Sequence, residues 1–129
     1  MKEKDLKETI SLMMQKGKGI LAADESNRTA GKRLSSVGVE DSEENRRLYR
    51  DLFLGTPGIE KYISGVILYE ETLNQSGNDG TLFIQSLKNK GIVPGIKVDA
   101  GAKDFPGFPG EKITEGLDGL RERLQTYYK

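Results

Sequence analysis

Three short apolar runs, each closing on acidic residues, constrain the fold of this chain more than anything else in it. Ile20-Leu21-Ala22-Ala23 leads into Asp24-Glu25-Ser26, and Ile63-Ser64-Gly65-Val66-Ile67-Leu68-Tyr69 leads into Glu70-Glu71-Thr72. The third run, Ile92-Val93-Pro94-Gly95-Ile96-Lys97-Val98, ends at Asp99. None has helical spacing and all are rich in β-formers, so they read as buried strands. Pro94 fits a strand best near its start, where its missing N–H is tolerated.

The segments between the runs have helical character. Leu6, Ile10 and Met13/Met14 recur among Lys and Glu, which predicts an amphipathic helix over 3–16 before Lys16-Gly17-Lys18-Gly19. Thr29 to Leu34 begins a short helix stopped by Gly38. Asp41-Ser42-Glu43-Glu44 has capping-box spacing and opens a helix through Leu54, with Leu48, Leu52 and Phe53 supplying apolar contacts. Gly55-Thr56-Pro57-Gly58 breaks it. After a turn at 76–80, residues 81–89 form a helix burying Leu82, Phe83 and Leu87. Residues 100–112 read as a Gly/Pro-rich loop, and Leu117, Leu120, Leu124 and Tyr127 mark a closing helix.

Crossovers of this length join parallel strands by right-handed connections. No internal repeat or linker interrupts the chain, so residues 1–129 are expected to form a single domain. A three-stranded parallel sheet has two open edges, whereas a (β/α) barrel closes at eight strands over about 250 residues. The expected class is therefore α/β: the first three β/α units of a TIM (β/α)8 barrel, preceded by an N-terminal helix, strands 1–3 only. In isolation such a chain is expected to leave apolar surface uncovered.

Composition narrows the chemistry. Lys and Arg together number 20, as do Asp and Glu, so no charge excess favours nucleic acid or an anionic membrane surface. No apolar run approaches the ~18 residues of a membrane helix, and Met1 to Lys18 lacks a signal peptide's apolar centre, which makes the cytoplasm the expected location. Cys and His are both absent, which removes disulfides, thiolate chemistry and the commonest general base and metal ligand. Chemistry here has to use Lys, Asp, Glu, Ser, Thr or Tyr.

Ligands of parallel α/β proteins bind at the carboxyl ends of strands. Asp24 and Ser26 stand at such an end, beside a helix start whose free N–H groups and dipole suit phosphate. The same residues also suit a purely structural task, because Asp and Ser after a strand commonly cap the next helix. Lys97 shares a strand face with Gly95 and Asp99, with Ile96 and Val98 opposite. If the helices cover Ile96 and Val98, Lys97 points inward, as Asp24 does beside Ala22. Strands one and three are both odd, so Asp24 and Lys97 are expected to meet near one layer and neutralise each other. The alternatives are an ion pair without chemistry, or an edge Lys reaching solvent.

The wording of three segments carries a resemblance. Gly17 to Leu34, with Lys18-Gly19-Ile20-Leu21-Ala22-Ala23-Asp24-Glu25-Ser26 at its heart, resembles the first strand and loop of class I fructose-bisphosphate aldolases. Ser26-Asn27 and Thr29 look more like the bacterial and plastid branch than the animal muscle type. Ser64 to Leu73 and Ile92 to Asp99 match in order, as do Asp41 to Arg50 and Gly116-Leu117-Asp118-Gly119-Leu120. The resemblance implies an amino-terminal portion of an enzyme that reversibly cleaves fructose 1,6-bisphosphate to dihydroxyacetone phosphate and glyceraldehyde 3-phosphate through a Schiff base, with neither metal nor cofactor expected. By it, Asp24 takes part in proton handling, and Lys97, Ser26 and Thr29 bind the phosphate of the aldehyde-side half. Arg33 binds substrate phosphate, Arg46 is similar to another basic position linked to it, and Glu25 is a neighbouring group. Ala100 stands where many relatives carry Lys.

The resemblance also implies a gap. The family's Schiff-base Lys lies on the sixth strand, its acid–base Glu on the fifth and another active-site Lys on the fourth, and none has a counterpart in these residues. Because the iminium is the electron sink, that Lys cannot be omitted. The expected partner is a small sugar phosphate, and a full-length parent is expected to be a homo-oligomer. The alternative is a non-enzymatic remnant or assembly module with at most weak sugar-phosphate binding.

Overall fold

The computed structural model describes residues 3–128; Met1, Lys2 and Lys129 lie outside them. The chain falls into two compact units, one running up to Ile96 and the other from Lys97 onward.

In the first unit, α1 (Glu3–Met13) precedes β1 (Gly19–Ala23), followed by α2 (Asn27–Ser36) and α3 (Glu43–Leu54). Then come β2 (Ile63–Leu68), α4 (Phe83–Asn89) and β3 (Val93–Ile96). Short 3-10 turns at Ile59–Lys61 and Glu70–Asn74 flank β2. The strands form one parallel sheet in the order β1-β2-β3. Ala23 pairs with Leu68, and Leu68 with Ile96, so the strands finish in one row. Pro94 pairs opposite Val66 as the second residue of β3, near its start.

Strand alternation sorts the sheet into two faces. Leu21, Ala23, Val66, Leu68 and Ile96 belong to the packed face, where Leu54, Phe83, Leu87 and Ile92 complete the core. Ile20, Ala22 and Gly95, on the opposite face, are exposed. Ser64, fully buried, donates to the Met13 carbonyl at 2.6 Å, which ties the end of α1 to the start of the sheet.

Several helix faces differ from the periodicity reading. Leu48, Leu52 and Phe53 are exposed on α3, and the buried residues there are Arg50 and Leu54. The pattern misled because the inward stripe carries a paired guanidinium in place of a hydrocarbon. Leu82 is half exposed at the cap of α4, leaving Phe83 and Leu87 to enter the core. Leu6 and Ile10 on α1 are also exposed.

The second unit contains β4 (Gly101–Asp104) and β5 (Lys112–Glu115), an antiparallel pair, then α5 (Leu120–Tyr127). Residues 100–112 therefore hold most of a hairpin where composition suggested a loop, its turn built on Phe105-Pro106-Gly107-Phe108-Pro109-Gly110 with the two Phe rings stacked 4.8 Å apart. β3 stops at Ile96, so Lys97 is the first residue beyond the strand and not inside it.

Candidate functional site

The first corner of the sheet is built from its own chain. β1 ends at Ala23, Asp24 and Glu25 follow, and Ser26 caps α2: its hydroxyl accepts the Thr29 N–H at 3.3 Å, and its carbonyl accepts the Ala30 N–H at 2.9 Å. The Ser26 and Thr29 hydroxyls lie 3.2 Å apart. The helix begins at Asn27, two residues before the expected start at Thr29, because the Ser26 cap sets its first turn. Two hydroxyls and the first-turn N–H groups of α2 thus converge immediately after a carboxylate, an arrangement suited to an anionic substrate.

Arg33, on the last turn of α2 and half exposed, adds a cation. Its Nη1 donates to the Glu25 carboxylate and, at 2.7 Å, to the Tyr49 hydroxyl from α3. Those bonds, from Tyr49 first and Glu25 second, raise the guanidinium pKa further above its already high value.

Arg46 sits in a different setting. With Arg50 it converges on one carboxylate, Glu71, in the 3-10 turn after β2. Arg46 reaches Glu71 through Nε at 3.1 Å and Nη2 at 2.7 Å, and also pairs with Asp41. Arg50 is almost fully buried; it donates to Glu71 and, at 3.0 Å, to Gln75. Asn27 joins the cluster, donating to Glu71 at 3.2 Å and accepting from Arg50 at 3.4 Å. Burial pushes the Glu71 carboxyl up, but hydrogen bonds from Arg46 and Arg50 outweigh it and hold the group below its ordinary range. This network was missed in the sequence, although Arg46 and Arg50 stand four apart on one helix face and Glu71 follows closely on β2.

In the second unit, Lys97 is bonded to the Asp99 carboxylate, and Asp99 also accepts the Gly101 N–H at 2.9 Å. The Lys97 ammonium, then the Gly101 amide, hold the Asp99 carboxyl below its usual value. Among the described residues no cluster of three or more acidic side chains is placed to hold a metal ion. No helix there is long and apolar enough to cross a membrane. A cleft between α2, α3 and α4, lined mainly by Val37, Val39, Leu48, Leu52 and Phe83, also takes in the Tyr49 side chain but none of Asp24, Glu25, Ser26, Thr29, Arg33, Arg46 or Lys97.

A parallel α/β sheet with a carboxylate, two hydroxyls and a helix N-terminus at its carboxyl end defines the class of α/β protein in which ligands bind beyond the strand ends. The family model for class I fructose-bisphosphate aldolase matches residues 5–129, and the chain belongs to that family. A probable class 1 fructose-bisphosphate aldolase of Xanthomonas campestris is 55% identical over 123 residues, covering 95% of this chain and 37% of the relative. A cytosolic fructose-bisphosphate aldolase of Arabidopsis thaliana is 56% identical over 113 residues, 88% of this chain and 32% of the relative. The solved fructose-bisphosphate aldolase of Plasmodium falciparum, crystallised with TRAP and a small-molecule inhibitor, superposes with a TM-score of 0.89 at 50% identity, over 97% of this chain and 36% of that one. The chain thus spans about a third of the length of the relatives it matches.

Proposed function

We propose that these residues form the first three β/α units of a class I fructose-bisphosphate aldolase barrel and bring to it part of the proton-handling and phosphate-binding machinery. The observation that carries this reading is the β1–α2 corner, where Asp24 precedes a helix start carrying the Ser26 and Thr29 hydroxyls. In the parent enzyme, a Schiff base on the sixth-strand Lys turns the substrate carbonyl into an electron sink. The hydroxyl proton next to the scissile bond leaves as the carbon–carbon bond breaks toward the iminium, which releases glyceraldehyde 3-phosphate and leaves an enamine on the Lys. The enamine carbon then takes up a proton, and water hydrolyses the iminium to free dihydroxyacetone phosphate and the Lys amine. Asp24 positions and moves protons in that sequence. Ser26, Thr29 and Lys97 bind the phosphate of the aldehyde half, and Arg33 binds substrate phosphate through its exposed fork.

Glu25 supports Arg33 as its ion-pair partner. Arg46 acts indirectly, since its guanidinium is committed to Glu71 and Asp41. The parent assembles as a homo-oligomer, acts on small sugar phosphates and works in the cytoplasm; the relatives include cytosolic and chloroplastic aldolases. A second reading, a module that binds sugar phosphate weakly without catalysis, is favoured by one observation: Arg33 and Arg46 both already hold carboxylates of this chain.

Borohydride reduction of the 129-residue polypeptide with fructose 1,6-bisphosphate, followed by intact and peptide mass spectrometry, tests the assignment of the nucleophile. The expected result is scattered, substoichiometric adducts on surface lysines. One stoichiometric adduct at Lys97, lost in Asp24→Asn and accompanied by aldehyde release, would overturn the assignment.

A further inference from the structure

The best-placed cation near the β1–α2 corner is held by a residue to which the proposed function gives no task. Tyr49, on α3, accepts a hydrogen bond from Arg33 Nη1 at 2.7 Å, and the same nitrogen donates to Glu25. Both tethers use one corner of the guanidinium. Its Nε and Nη2 bond to no protein acceptor among the described residues, and the side chain is 53% exposed. A guanidinium recognises phosphate through two parallel N–H groups, and the Nε–Nη2 edge is one such pair.

An untethered Arg would lose rotamer freedom on gripping an anion, whereas one held at Nη1 has already lost much of it. The two tethers differ in kind. The Glu25 carboxylate neutralises the cation and competes with an incoming phosphate. The Tyr49 hydroxyl is uncharged and orients the fork without weakening its field. The Tyr49 ring is fixed in turn by an edge contact with Phe53, the centroids 5.1 Å apart and the planes at 79°. Its hydroxyl therefore stands on a rigid arm.

We propose that Tyr49 is a positioning residue for phosphate binding: it holds Arg33 by Nη1 so that the Nε–Nη2 edge is presented, pre-ordered, to a phosphoryl group. The proposal rests on the reading of Arg33 as a phosphate-binding residue. Tyr49 touches no substrate and acts through Arg33 alone. When the anion arrives, Arg33 loosens from Glu25 and keeps its bond to Tyr49.

Modification by phenylglyoxal, which attacks guanidinium nitrogens, reads the tether residue by residue when adducts are located by peptide mass spectrometry at low micromolar protein. Arg28, exposed on the same helix, is the internal standard. In the wild-type chain Arg33 should react several-fold more slowly than Arg28, and inorganic phosphate should slow it further. In Tyr49→Phe, which keeps the ring and its contact with Phe53, the rate at Arg33 should rise. The phosphate concentration giving half-protection should rise about three- to tenfold, the scale of one hydrogen bond to a charged group at a partly exposed site. If phosphate protects Arg33 equally in both proteins and the unprotected rates agree, Tyr49 has no positioning role while the phosphate reading stands. If phosphate protects Arg33 in neither, the phosphate reading fails and this inference with it. Should the variant lose its folded circular dichroism, the wild-type rate decides: Arg33 reacting as fast as Arg28 without phosphate rules out the tether.

Discussion

Glu71 joins two helical arginines to the turn that follows β2. Two guanidiniums meet on its carboxylate, and one of them, Arg50, is almost fully buried. Glu71→Gln would keep the shape and remove the charge, leaving Arg50 buried without a counter-ion, so it should cost about 3 kcal/mol in chemical denaturation. The pH dependence has a definite sign. Because the folded-state pKa lies below the ordinary value of 4.5, Glu71 contributes stability that is fully present above that value and is lost as pH falls through the depressed one. The wild type should lose stability steeply on acidification below about pH 4.5, and Glu71→Gln should lose less over the same range; parallel acid titrations of the two would contradict this. Sequence periodicity did not expose the cluster because Arg and Glu are rarely buried unless paired, and pairing across 25 residues of chain leaves no local trace. The corner that carries Asp24, Ser26 and Thr29 is legible for the opposite reason: the three are neighbours in sequence, and the strand end and helix cap that place them are local.

At the scale of elements, caps and close approaches decide the geometry. Ser26→Ala removes the hydroxyl that accepts the Thr29 N–H and should cost about 1 kcal/mol, with fraying of α2 visible as faster amide exchange at its first turn. Ser42, which accepts the Asn45 N–H on α3, is the matched control, since its loss should weaken α3 without altering the β1–α2 corner. In the second unit, Gly116 has φ of 153°, and a Cβ there would lie 2.7 Å from the Asp99 Cα. Arg123 closes the same root by donating to the Val98 and Gly116 carbonyls at 3.1 and 2.6 Å. Gly116→Ala should open the β4–β5 hairpin, at about 1–3 kcal/mol, and expose it to limited proteolysis. An unchanged cleavage pattern would show that the close approach is not required. The parallel strands could be read from their apolar runs. The hairpin could not: its arms are exposed, and its stacked Phe105 and Phe108 sit among prolines and glycines that signal turns.

At the scale of the whole molecule, no strand among the described residues pairs with the outer edges of β1 and β3. Leu6, Ile10, Ile20 and Leu52 add exposed apolar surface. Unpaired edges and uncovered hydrocarbon promote association, so the 129-residue polypeptide should sediment as oligomers at tens of micromolar concentration. A sharp monomeric boundary there would count against that expectation. The central claim, that these residues work as the opening third of an aldolase barrel, is tested most directly by a chimera. Residues 5–129 would replace the matching segment of the Xanthomonas campestris relative, and cleavage of fructose 1,6-bisphosphate would be followed. The chimera should be active, and Asp24→Asn within it should lower kcat by roughly 10²- to 10⁴-fold, the range for loss of a positioned proton-transfer group. A folded but inactive chimera, or an Asp24→Asn form as active as its parent, would contradict the claim.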